Sequence, residues 1–118
     1  MGTLASHREL IVWQKAISLA EQAYGLARSL PRHERYGLTS QLTRASVSVA
    51  TNIAKGYYRS SREYCHFLAI AKGSVMEMET LLLIACRLEY LSEAETHATL
   101  ELIIEISKML TAIRARLP

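Results

Sequence analysis

The chain has no aspartate, two prolines, one phenylalanine, one tryptophan and two cysteines among 118 residues. Each shortage closes a route. Half of the residues are hydrophobic and the net charge is only +3, so the low hydrophobicity and high charge that keep a chain disordered are both missing. Strand formers are few, whereas alanine, leucine, glutamate and arginine, all good helix formers, dominate. The longest uninterrupted apolar stretch near the cysteines, Leu81–Cys86, is far too short to span a bilayer. Met1–Leu10 holds no apolar signal core. Neither a membrane partner nor export is expected. Cys65 and Cys86 fall on one predicted helix, about 31 Å apart at 1.5 Å per residue, and cannot bridge within one chain. Reduced thiols fit a cytoplasmic protein.

The signatures of common catalytic sites are absent as well: no G-x-S-x-G, no P-loop, no H-E-x-x-H and no pair of C-x-x-C motifs. The four histidines, His7, His33, His66 and His97, sit in four different segments. Glu63-Tyr64-Cys65-His66 is one E-x-x-H, but di-iron bundles need two such motifs plus two more inward glutamates. Around His97 the glutamates stand at the wrong spacings, and Glu63 has a structural use as a helix cap. No enzyme, metal, cofactor or small-molecule substrate is expected.

What is present is helical periodicity. The length suits one domain, and residues 1–118 read as a single all-α domain of four helices. The first runs from about Arg8 to Leu30, stopped by Pro31. Leu10, Trp13, Ile17, Ala20 and Tyr24 share one face, and Val12, Leu19, Leu26 and Leu30 widen the apolar arc to about 200°, where a one-sided helix needs ~100°. The second runs from about Thr39, a candidate N-cap, to Lys55, with Gly56 as the stop. Leu42, Ala45, Val49 and Ile53 form its core face. The third follows a Ser60/Glu63 capping box and reaches about Tyr90. Its core face is Tyr64, Phe67, Leu68, Ala71, Val75, Met78, Leu82 and Ala85. A second capping box, Ser92/Glu95, opens the fourth, which runs to about Leu117. Its seam is Leu100, Ile103, Ile104, Ser107, Leu110 and Leu117, widened by Leu102, Ile106, Met109 and Ile113. Short connections between long helices predict an antiparallel up-down four-helix bundle. The wide apolar arcs of helices one and four predict either generous burial within the bundle or, as preferred here, self-association into a homo-oligomer.

Charge is unevenly distributed. Residues 1–76 carry ten Lys/Arg against four Glu, and residues 77–118 carry four against seven. Arg44, Lys55, Arg59, Arg62 and Lys72 gather around the junction of helices two and three, beside Tyr57 and Tyr58. Such cations neutralise phosphates, and tyrosines stack on unpaired bases, so RNA or DNA is a candidate partner. An ordinary solvated face, with the tyrosines packed on the bundle end, is the alternative. A polar stripe of Gln41, Arg44, Ser48, Asn52 and Lys55 on helix two has a counterpart of Glu63, His66, Gly73, Ser74 and Glu77 on helix three. This reads either as internal pairing, with Arg44 bridging to Glu63 or Glu77, or as a polar seam at a subunit contact. Gly73 in a helix interior suggests a gap that another backbone can approach.

The order of certain short motifs is also distinctive: Leu10-Ile11-Val12-Trp13-Gln14-Lys15-Ala16, Leu30-Pro31, Glu34-Arg35-Tyr36-Gly37-Leu38, Arg44-Ala45-Ser46-Val47-Ser48, Asn52-Ile53-Ala54-Lys55-Gly56-Tyr57, and Ala71-Lys72-Gly73-Ser74 followed by Glu77. In these the chain resembles the 23S rRNA-intervening sequence proteins, also labelled S23 ribosomal protein, over nearly its whole length. The resemblance implies a bacterial up-down bundle and a ring-shaped assembly, a pentamer in similar bundles. It does not by itself imply ribosome binding. One position departs from the family pattern: its usual Asn-Ile-Ala-Glu-Gly reads Asn52-Ile53-Ala54-Lys55-Gly56, a change of two charge units in favour of phosphate.

Overall fold

The computed structural model describes residues 5–118; Met1–Leu4, the first positions of the segment read above for an export signal, lie outside them. Four helices follow in order: α1 Ile11–Ala27, α2 Leu38–Tyr57, α3 Ser61–Arg87 and α4 Glu93–Arg116. The described residues contain no strand. The helices form the expected antiparallel up-down bundle, 48 Å long. α2 packs on α1 and α3, and α4 closes the square against both, leaving α1 and α3 diagonal and out of contact.

Local chemistry sets the helix ends. Ser92 Oγ accepts the Glu95 N–H at 3.1 Å while Glu95 Oε1 accepts the Ser92 N–H at 2.9 Å, the reciprocal box that satisfies two orphan donors. At α3 only half of the expected box forms. Ser60 Oγ accepts the Glu63 N–H at 3.3 Å, but the Glu63 carboxylate turns to the Ser60 hydroxyl and to Arg59. α2 begins at Leu38, not Thr39, because Glu34 Oε1 accepts the Leu38 N–H at 3.0 Å. α1 is shorter than expected at both ends. His7–Glu9 is a separate 3-10 turn with its own Ser6/Glu9 box, and beyond Ala27 the chain tightens through Ser29 N–H to Leu26 O and Leu30 N–H to Ala27 O, since the residue before Pro31 is barred from helix. α3 stops at Arg87. Glu89 takes the left-handed conformation at φ 63°, and the Tyr90 N–H returns to Ala85 O at 2.9 Å, a glycine-type ending made without glycine.

Gly56 does not end α2, which continues to Tyr57. It lets two helices touch: a Cβ there would stand 2.6 Å from Phe67 Cβ and 3.0 Å from Tyr64 Cδ1.

The expected core faces of α2 and α3 are buried, with Phe67 half-buried. α1 differs by one residue throughout. Val12, Ala16, Leu19 and Ala23 are buried where Trp13, Ile17, Ala20 and Tyr24 were expected; Ile17 is 38% and Tyr24 46% exposed. One residue is about 100° of helix. Val12 and Leu19 alternate with Ala16 and Ala23 on the inside, while Ile17 and Tyr24 ride the rim. α4 turns likewise: Thr96, Thr99, Ile103, Ile106 and Leu110 are buried while Ile104 is exposed. Thr99 pays no desolvation penalty, because its hydroxyl donates to Gln22 Oε1 at 2.7 Å.

The apolar surplus therefore lies on helices one and three, not on one and four. α4 exposes only Ile104 among its large apolar side chains. α1 exposes Ile11, Ile17 and Tyr24, and α3 exposes Ile70, Met76, Leu83 and Ile84, with Leu88 just beyond its end.

Candidate nucleic-acid interface

The polar stripes of α2 and α3 meet at one place. Ser74 Oγ donates to Ser48 Oγ at 2.9 Å, and Asn52 Nδ2 donates to the same hydroxyl at 3.0 Å and to Ser48 O at 2.8 Å. Asn52 is buried, so these bonds offset the cost of taking its amide out of water. The rest of the stripe is not part of this link. Gln41, Arg44 and Glu77 are exposed, and the ion pairs among the described residues do not include Arg44. Arg44 thus bridges to neither Glu63 nor Glu77. Gly73 is also exposed, and a Cβ on it would meet nothing within 4 Å. No backbone of its own chain approaches it, although glycine there costs about 1 kcal/mol relative to alanine.

The five basic residues separate into three places. Lys55 and Arg59 flank one ring: Lys55 Nζ lies 5.6 Å and Arg59 Cζ 5.4 Å from the Phe67 centroid. The ring face favours both cations, and Arg59 also reaches Glu63 at 3.4 Å. Arg62 is exposed at the start of α3 beside them. Lys72 points the other way, its ammonium donating to Thr111 Oγ1 of α4 at 2.6 Å. Arg44 stands three turns of α2 before Lys55, about 16 Å along the axis. The tyrosines are structural in part. Tyr57 packs edge-on against Tyr58 and Tyr64, and the Tyr58 hydroxyl meets the His7 ring at 2.9 Å and accepts the His7 N–H at 3.1 Å. Burial, then the neighbouring Tyr57, raises the pKa of Tyr64 above its ordinary 10.0, so its hydroxyl stays neutral.

The antiparallel fold reorders the charge along the long axis. The end built from the starts of α1 and α3 and the ends of α2 and α4 holds nine Lys/Arg and three Glu; the opposite half holds five Lys/Arg and eight Glu. Residues outside the expected set complete the basic end: Arg8, Lys15, which pairs with Glu105, Lys108, Arg114 and Arg116. The acidic balance of residues 77–118 hides the last three, because α4 is acidic where it starts and basic in its last turn. A per-helix count of charge, read with the up-down topology, reveals them. A basic end of this kind attracts phosphates by charge alone and carries no base-edge readout. Among the described residues no group of three His, Cys, Asp or Glu could hold a metal ion, and no helix is long and apolar enough to cross a membrane.

Residues 8–112 match the family described as 23S rRNA-intervening sequence protein. The chain belongs to that family. Among solved structures, a protein of unknown function from the S23 ribosomal protein family of Bacteroides thetaiotaomicron VPI-5482 superposes with a TM-score of 0.81 at 24% identity. The alignment covers 88% of this chain and 98% of that one, so the two share the four-helix-bundle fold. No curated protein matches the chain in sequence. In this member of the 23S rRNA-intervening sequence family, Lys55 lies at the basic end, against Phe67.

Proposed function

We propose that this protein is a cytoplasmic, non-catalytic interaction module, one domain from end to end, that self-associates and holds RNA or DNA by its phosphates. The supporting observation is the gathering of nine cations against three glutamates at one end of the bundle. Lys55, Arg59 and Arg62 form its centre, with Arg114 and Arg116 beside them; Arg44 and Lys72 contribute charge from the flanks. In a ring of parallel copies, the pentamer implied by the family resemblance, the basic ends share one face and their potentials add.

Fluorescence anisotropy with a labelled single-stranded RNA across a salt series tests this. About five phosphate contacts per subunit give a slope of log affinity against log salt of about −3.5, with little dependence on base sequence. Lys55→Glu, which restores the family's usual residue, weakens binding and flattens the slope. A flat anisotropy trace at 20 mM salt would remove the reading.

The exposed apolar side chains of α1 and α3 favour a second reading, a scaffold for another protein with no nucleic-acid role. Pull-down from lysate with and without nuclease separates the two, since only a nucleic-acid-bridged catch disappears with digestion.

A further inference from the structure

α1 and α3 occupy opposite corners of the bundle, and each carries an apolar outer surface that its own chain leaves uncovered. Each also carries an interior glycine that the fold does not require. A Cβ on Gly73 would meet nothing, and one on Gly25 would meet only the tip of the Arg28 side chain, at 3.9 Å. Compare Gly56, where the same test finds a severe clash. Glycine weakens a helix, so its presence on two outward seams calls for something outside the chain.

α4 touches both helices and serves as a ruler between them. Lys15 pairs with Glu105 and Gln22 with Thr99 on one side; Lys72 meets Thr111 and Cys86 meets Thr96 on the other. By these pairs Ile11, Ser18 and Gly25 of α1 stand level with Gly73, Thr80 and Arg87 of α3. Both triplets have the seven-residue spacing of a helix-packing seam, and small residues face small or apolar ones at two of the three levels. Charge is ordered to match. Rising along α1 come Glu21 and then Arg28; rising along α3 come Arg87 and then Glu89. With two copies side by side and parallel, Glu21 falls level with Leu83, about 6 Å along the axis from Arg87, and Arg28 falls within one residue of Glu89, just beyond the end of α3.

From this we infer that the α1 face of one copy docks on the α3 face of a second copy, parallel and head to tail, with Gly25 and Gly73 on the line of closest approach. The inference rests on the self-association proposed above and specifies how it happens. A two-fold contact of α3 with itself would leave the α1 face bare. A head-to-tail contact covers both faces of every copy except at open ends, and its repetition closes into a ring or runs on as a filament. All basic ends then point the same way.

Light scattering on full-length variants tests the docking. Ile17→Glu/Tyr24→Glu breaks the α1 face, and Leu83→Glu/Ile84→Glu breaks the α3 face; all four positions are exposed. Each variant alone is expected as a monomer. An equimolar mixture is expected to show twice the monomer mass, because one intact junction remains between the two kinds of subunit. Should the α1 variant assemble alone, or the mixture stay monomeric while the wild type assembles, the head-to-tail assignment falls and self-association stands. A monomeric wild type overturns both. Gly73→Gln guards against misfolding as the explanation: its monomer melts no lower than the wild type, while its assembly weakens at least tenfold. Unchanged assembly of Gly73→Gln would overturn the close approach.

Discussion

The α2–α3 pair and the α1–α4 pair are built by different rules. α2 and α3 meet through a glycine pressed on an aromatic ring and a Ser74–Ser48 hydrogen bond, held from the α2 side by Asn52, at mid-height. α1 and α4 meet around Val12, Leu19, Ile103, Ile106 and Leu110, set among alanines and threonines with Gln22 bonded to Thr99, and leave Ile17, Tyr24 and Ile104 exposed. Large apolar residues are thus buried in both pairs, but on α1 others of equal size stand one residue away on the rim. Hydrophobic size is therefore a guide to burial only where the apolar arc is narrow enough to leave one inward direction.

Substitutions separate the two rules. Gly56→Val is expected to do the greatest damage, because the Phe67 Cβ cannot yield without moving a helix. A loss of about 3 kcal/mol, on the order of 10 °C in melting temperature, is expected by thermal denaturation. In the other pair, Leu19→Ala should cost about 3 kcal/mol, whereas Ile17→Ala, two residues away, should cost under about 1 kcal/mol in a monomeric background. Equal costs would refute the one-residue rotation of α1. Asn52→Ala is expected to cost about 1–2 kcal/mol by urea titration, since the Ser48 hydroxyl and carbonyl lose the amide that donates to them. Alkaline titration probes the tyrosine contacts at the base of α2 and α3. The raised pKa of Tyr64 means that the folded state holds its proton more firmly. That contribution is intact below pH 10 and is lost as pH climbs through the folded-state value. Tyr64→Phe should flatten this alkaline limb. The smallest effect has the opposite sign: Glu89→Gly relieves a left-handed residue and should raise stability by about 1 kcal/mol.

Much of this was legible beforehand. The four helices, the Ser92/Glu95 box and the buried faces of α2 and α3 follow from periodicity and capping chemistry, where large apolar residues recur at helical spacing with nothing to compete. The rotation of α1 was not, because its 200° apolar arc leaves the inward direction undetermined until neighbours limit side-chain size. The role of Gly56 was hidden for a related reason: glycine reads as a stop when its partner lies on another helix. The basic site was half legible. Lys55, Arg59 and Arg62 are close in sequence, but Arg114 and Arg116 join them only when α4 turns back along the bundle. Lys72 looks equivalent in sequence and is not, since its place on α3 aims it at Thr111.

The lengthwise separation of charge has a practical corollary. A cation-exchange resin samples whichever surface touches it and is blind to the average. This protein should present its positive pole to the beads, stand upright on them, and elute at a higher salt concentration than other proteins of its size and net charge.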